Sequence, residues 1–503
     1  MRTILLFSLA FLVIGMLMPN FVRADGAPGA SLAFTSKDPT VTKAVELLAE
    51  GKLKEAEDLL NQASDGEADA TKGRDEAKEI IRRTRIEYSQ DPDQLLAKIK
   101  KSIPDITGAD LDRWTKEGQT NSRLIDGKVK YFNREPSNIF LFCKEAKDRR
   151  KAAGNAPPED NRWKLNDHLK QVIDAAKNSD SPEVMPVKHT ITYTLTIPAN
   201  TAGVKQGSTV KVWLPMAQEY RQQKDVKLVS TTPKSTTVAP SATDTYPVSG
   251  APQRTVYFEQ KCEDPGKPMV FKEVIEYTSY AYYPKLEESK VQPLPADWDG
   301  RYLSERPPHI VFTPEIRQQV QEIVGSETNP LVKARKIFSW VSDNIPWHAE
   351  EEYTVIPSFA KKCFAMRKGD CGVQSTMFTT MCRIAGIPAR WQSGWESKPL
   401  GWNMHDWSEI YIAPWGWLPV DASYGKQESD DPAVRDFYLG HQDSYRMIVN
   451  LDYGRELIPP KQSMRSEPAD FQRGEVEVDG KNLYFNQWKY KMEFTRDPGP
   501  NFE

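Results

Sequence analysis

The run from Arg367 to Pro388, RKGDCGVQSTMFTTMCRIAGIP, constrains this chain more than any other stretch. Val373, Met377, Phe378, Met381, Cys382 and Ala385 recur at three- and four-residue steps, the spacing of one helical face. Gly386 stands just past that face and Pro388 forbids its continuation. Gly369 and Asp370 mark the start, so Cys371 falls at a helix N-terminus. Unpaired N–H groups and the helix dipole there favour a thiolate over a thiol, and the same N–H groups can hold a developing oxyanion. Free cysteines are more often buried structural thiols. Cys382 fits that role, on the apolar face and roughly 16 Å further along the helix. The flanking Gly369, Asp370 and Gly372 argue against such burial for Cys371.

A thiol nucleophile needs a base and a group that orients the base. Downstream lies His405-Asp-Trp-Ser-Glu-Ile-Tyr-Ile412, then Ala-Pro-Trp-Gly416, then Trp417-Leu-Pro-Val-Asp-Ala422. Each flank reads as a strand and the middle as a tight turn. If Ile412 pairs with Gly416, Asp421 falls opposite Trp407. His405 and Asp421 are then diagonal neighbours on one face, about 7–8 Å apart at the backbone. A one-residue slip would separate them.

The blocks Arg-x-Gly-Asp-Cys, Ala-Gly-Ile-Pro-Ala-Arg390, His-Asp-Trp-x-Glu-x-Tyr and Leu-Pro-Val-Asp-Ala-Ser resemble, in order, the core of the transglutaminase-like superfamily over residues 330–425. The resemblance implies a papain-like fold, a helix bearing the cysteine packed on an antiparallel sheet. It implies Cys371 as nucleophile, His405 as general base and then acid, and Asp421 as the orienting carboxylate. An upstream aromatic often serves the oxyanion in this family, and Trp347 is the candidate, Trp340 belonging to the core face of its helix. No calcium loop is evident, and the calcium dependence of the animal enzymes is not carried over.

Six of the thirteen tryptophans fall between Trp391 and Trp417. Trp391 and Trp407 read as core. Trp395 and Trp402 are candidates for an aromatic-walled substrate groove. The other cysteines, Cys143, Cys262, Cys363 and Cys382, leave pairing open, with Cys363 a redox partner of Cys371 or a bridge to Cys143 or Cys262. There is no Cys-x-x-Cys and no His-Glu-x-x-His among six histidines, so neither metal nor cofactor is expected.

Around this core the chain reads as multidomain α+β. Residues 1–24 form a secretory signal, with an apolar run from Ile4 to Met18 and cleavage expected after Ala24. Residues 25–90 are a helical hairpin region with one tetratricopeptide-like unit and a third helix over 72–88. Residues 91–145 give helix, helix and an Asp126-Gly127 hairpin, a small winged-helix-like module. Residues 146–187 are a charged helical linker. Residues 188–290 alternate with period two, as in Thr190–Ile197, and predict a β-sandwich. The papain-like core, helices packed on an antiparallel sheet, spans 300–440, and 441–503 is a C-terminal β-strand extension. The net charge of −3, from 67 basic and 70 acidic residues, implies no polyanion partner, and no nucleic acid is expected.

The expectation is an exported, periplasmic or secreted, cysteine enzyme that attacks amide bonds of a peptide or protein through a Cys371 thioester. Hydrolysis (protease, amidase or deamidase) is favoured. A protein-glutamine cross-linker shares the same intermediate. A non-catalytic binding or scaffold protein is the rival from another class, with the N-terminal helical region as a surface for a protein partner.

Overall fold

The computed structural model describes residues 38–62, 68–158, 162–243, 250–298 and 300–497. The signal-peptide expectation for residues 1–24 lies outside these. No helix among the described residues is long and apolar enough to cross a membrane.

The chain is mixed helix and sheet, with several antiparallel sheets. The helix Cys371–Ile384 forms where its pattern predicts. Asp370 caps it by accepting from Val373 N at 3.1 Å, and Gly386 ends it at φ +80°. It packs against a four-stranded sheet in the order Gly416–Val420, Asn403–Ile412, Ala389–Glu396, Arg446–Asn450. The helices Pro314–Val324 and Pro330–Asn344 complete that core through Ile316, Val320, Leu331, Ala334, Ile337 and Phe338. The helix Leu165–Lys177, expected in a linker, belongs to the same core through Leu169, Val172 and Ile173. Its apolar stripe cannot stay in water, and the nearest uncovered face is that of the helices.

Two further antiparallel sheets face each other over a second core. One runs Lys489–Asp497, Glu183–Ile197, Met269–Tyr282, Gln223–Thr232. The other runs Lys481–Leu483, Glu475–Val478, Thr209–Pro215, Thr255–Lys261, Thr237–Val238. Alternation puts Ile191, Tyr193, Leu195 and Ile197 inside, against Val210, Val212 and Phe258. The strands expected as a separate C-terminal extension are therefore members of these sheets. Met492 pairs with Tyr193 and Val476 with Val212. Arg446–Asn450, from the same expected extension, joins the sheet that carries His405. Pairing partners this far apart in sequence leave no local signal.

At the N-terminal side, helices Pro39–Ala49, Leu53–Gln62 and Ala68–Glu87 follow the predicted hairpin and third helix. The strands Ser122–Ile125 and Lys128–Tyr131 turn through Asp126 and Gly127, both at positive φ. The region around this ribbon divides its apolar residues between two cores. Ile125 and Phe132 join Val41 and Leu53, while Tyr131 joins Leu95 and Trp114. Gly51 permits the first docking, since a Cβ there would lie 2.1 Å from Leu124 O.

Candidate functional site

Ile412 pairs with Gly416, the register that the sequence required, and Ser408 pairs with Val420. Continuing it sets Asp421 opposite Trp407. His405 and Asp421 then meet on one side of the ribbon, with His405 Nε2 2.7 Å from Asp421 Oδ2. Asp421 Oδ1 accepts from Ser423 N at 3.1 Å and Tyr424 N at 3.0 Å. Arg446 Nη1 lies 2.8 Å from Asp421 Oδ2, an ionic contact without hydrogen-bond alignment, and its Nη2 lies 3.3 Å from Asp443 Oδ2. Burial pushes the Asp421 carboxyl up, but His405 and then Arg446 outweigh it and hold the group well below the usual carboxylate range. Asp421 is therefore an anion that accepts the Nε2 proton of His405, which leaves Nδ1 for proton transfer.

Cys371 stands half-buried at the start of its helix, as the sequence requires. Its thiol differs from the sequence expectation. Burial pushes it well above the ordinary cysteine range, and the neighbouring Asp370 carboxylate pushes the same way. The resting side chain is a thiol, not a standing thiolate. Among the described residues its hydrogen-bond partner is Asp406 rather than His405, with Sγ 3.4 Å from Asp406 Oδ2. The strand alternates, so Asp406 faces the helix while its neighbour His405 faces Asp421. The structure thus joins His405 to Asp421 directly and sets Cys371 on the residue between His405 and Trp407.

Three further residues hold this arrangement and were missed in the sequence. Tyr353 Oη lies 2.9 Å from Asp370 Oδ1 and 3.1 Å from Asp406 Oδ2. Gln472 Nε2 donates to Asp406 Oδ1 at 2.8 Å and to His405 O at 2.9 Å. Arg446 braces Asp421. One signal was available: an acidic residue on the helix-facing side of a strand in a buried sheet is anomalous and asks for partners.

Trp347 comes to the helix start, bridged to Gly369 and 39% exposed. With Gln374, Ser423, Tyr424 and Lys426 it borders a small cavity of about 110 Å³. Trp395 is corrected from groove to core. It is 0% exposed, its Nε1 donates to Gln472 O at 2.8 Å and its ring stacks on Tyr193. The strand Ala389–Glu396 is covered on both faces, so alternation could not leave Trp395 in a groove. Trp402 is 40% exposed and rests against Phe494 of the last strand. All five cysteines are free thiols, so Cys363 bridges neither Cys143 nor Cys262. Cys363 is buried in the helical core. Among the described residues no cluster of His, Cys, Asp and Glu could hold a metal ion.

A helix-borne cysteine over an antiparallel sheet that carries a paired histidine and aspartate defines a papain-like class of site. Residues 317–422 match the model of the transglutaminase-like superfamily core, and this part of the chain belongs to that superfamily. An uncharacterised protein of Haemophilus influenzae (strain ATCC 51907 / DSM 11121 / KW20 / Rd) is 26% identical over 225 residues, 37% of this chain. The chain spans 60% of the length of that relative. Among solved structures, a Cytophaga hutchinsonii protein provisionally assigned as a cysteine protease is 16% identical, with 62% of this chain and 91% of that one covered and a TM-score of 0.40. The periplasmic domain of TgpA from Pseudomonas aeruginosa is 16% identical over 50% of this chain and 91% of that one, with a TM-score of 0.24.

Proposed function

We propose that the protein is an exported cysteine hydrolase that cleaves amide bonds of peptides or proteins through a thioester on Cys371. The observation that carries the reading is the His405–Asp421 pair at 2.7 Å, on the strand whose next residue, Asp406, lies 3.4 Å from Cys371 Sγ. The sequence of residues 1–24 supports export.

His405 Nδ1 takes the proton of Cys371 Sγ as the sulfur adds to the substrate carbonyl carbon. Asp421 steadies the imidazolium so formed. The oxyanion falls to the N–H groups of the helix start, with Trp347 as the side-chain candidate. His405 then returns the proton to the leaving nitrogen, the C–N bond breaks and the thioester remains. Water adds to the thioester, His405 accepts one of its protons, and the C–S bond breaks to release the acid and restore the thiol.

A thiol-directed alkylating probe tests the reading. Cys371 should label faster than a free model thiol near neutral pH, and His405→Ala should slow it at least tenfold. Equal rates for Cys371 and the model thiol refute the enzyme. A glutamine peptide offered with a labelled primary amine tests the acceptor, and incorporation of the amine would replace hydrolysis by cross-linking.

A further inference from the structure

Asp406 is almost wholly buried, and its two oxygens have different surroundings. Oδ1 accepts from Gln472 Nε2 at 2.8 Å, an amide that can only donate. Oδ2 faces two hydroxyl-like groups, Tyr353 Oη at 3.1 Å and Cys371 Sγ at 3.4 Å. Tyr353 has one proton and two carboxyl oxygens within reach. Asp370 Oδ1 is the nearer, at 2.9 Å, and already accepts the Val373 N–H that caps the helix. The tyrosine proton therefore goes to Asp370. The Tyr353 oxygen is then an acceptor facing Asp406 Oδ2, and two facing acceptors need a proton between them. The inferred chain then runs from Asp406 Oδ2–H to Tyr353 O–H to Asp370 Oδ1.

The charges around Asp406 agree. From the helix start it faces Asp370 and Cys371, from the Tyr353 segment the tyrosine itself, and from the segment before Arg473 the carboxyls of Glu467 and Asp470. Arg473, the cation that acts on Asp470, is engaged by Glu467 and Glu352. Burial and then Asp370 push the Asp406 carboxyl well above its ordinary range. Asp370, pushed up by burial to about 6 against its capping bond, is the one that ionises near neutrality. A carboxylic acid kept neutral by its site is a hydrogen-bond donor.

We propose that Asp406 is a further catalytic residue, a neutral carboxylic acid whose Oδ2–H donates to the Cys371 thiolate as it forms. The inference rests on the hydrolase reading. In the resting enzyme the Asp406 proton serves Tyr353 and the thiol donates to Oδ2. When His405 takes the thiol proton, the S–H bond breaks and an N–H bond forms. The Asp406 O–H stays intact and turns to the sulfur. An ionised Asp406 would instead set two anions against each other. When sulfur leaves the thioester and regains its proton from His405, the Asp406 O–H returns to Tyr353.

Two readouts test this on the full-length protein. Alkylation of Cys371 by iodoacetamide at pH 7 should slow about tenfold or more in Asp406→Ala, the value of one donor to a charged acceptor. Asp406→Asn should restore most of that loss. Gln472 fixes the amide oxygen at the Oδ1 position, so Nδ2–H points to sulfur. Rates in Asp406→Ala equal to wild type, an Asn variant as slow as the Ala variant, or faster alkylation in both would each overturn the proposal. Infrared spectra of wild type and the isosteric Asp406→Asn give an answer even where Asp406→Ala fails to fold. The wild-type spectrum minus that of the Asn variant should hold one protonated-carboxyl band, and a difference spectrum without it means that Asp406 is ionised and the proposal wrong. A wild-type Cys371 no more reactive than a free thiol overturns the hydrolase reading, and with it the donor role, whatever the band does. A reactive Cys371 with no such band in the difference spectrum overturns the donor role alone.

Discussion

Arg446→Met removes the cation shared by two buried carboxylates, and its effect can be worked from the contacts. Arg446 lies 2.8 Å from Asp421 and 3.3 Å from Asp443, with all three side chains almost wholly buried. At an effective dielectric of ~20 these distances give gross attractions of about 6 and about 5 kcal/mol. The desolvation of a guanidinium offsets much of this. Breaking a buried pair by removing one partner costs about 3–5 kcal/mol, because the remaining charge stays buried. At about 2–4 °C per kcal/mol for a unit of 150–250 residues, the calorimetric transition of the catalytic core should fall by roughly 6–20 °C at pH 7. The pH dependence is the sharper check. Arg446 helps hold both carboxyls below their ordinary range against burial. A depressed carboxyl pKa contributes stability that is full above the unfolded value and lost as pH falls toward the folded one. The gap between wild type and variant should therefore be full at pH 7 and narrow below about pH 4. A transition that shifts by less than about 2 °C at pH 7, or a gap unchanged between about pH 7 and pH 3, would refute the reasoning.

Other outcomes follow from the same contacts. Asp421→Asn should slow alkylation of Cys371 at least tenfold while the protein still folds, as mass-mapped labelling and a melting curve will report. Glu273 is buried between the two facing sheets with neither carboxyl oxygen hydrogen-bonded, and burial raises it well above its ordinary range. A raised carboxyl loses stability as pH climbs past about 4.3, so Glu273→Met should raise the melting temperature at pH 7 and lose that advantage near pH 4. Gly394→Ala would put a Cβ 1.8 Å from Met447 O. It should unseat the strand that carries Arg446 and lower both the melting temperature and the alkylation rate. Trp395→Ala should cost about 3–5 kcal/mol of stability, read as a lower denaturant midpoint, because the indole is core and not groove.

The parts of the site legible in the sequence are those fixed locally. The Cys371 helix carries its own start at Asp370 and its own stop at Gly386. The register that joins His405 to Asp421 is set by a turn of a few residues. What escaped was set across distance. Gln472 reaches His405 and Asp406 from more than sixty residues away, and Arg446 arrives on a strand that reads as part of an extension. Asp406 was visible but unweighed. Between a histidine and a tryptophan it looks like a solvent-facing acid, and only the packing of a helix on that face makes it a buried one. Trp395 failed for the same reason: period-two patterning says which side a residue faces, not what lies there.

The last strands have a consequence for how the molecule can be made. Residues 475–497 leave the ribosome after everything they pair with, yet Glu475–Val478 and Lys489–Asp497 lie against strands from near residues 190 and 210. Until they arrive, Glu183–Ile197 and Thr209–Pro215 each have one open edge, and Ser466 and Glu467, just before Gln472, lack the Glu475 carboxylate that accepts from both of their N–H groups. Residues 475–497 thus close the two facing sheets. A chain cut short before residue 475 should collect as aggregate rather than as a smaller enzyme.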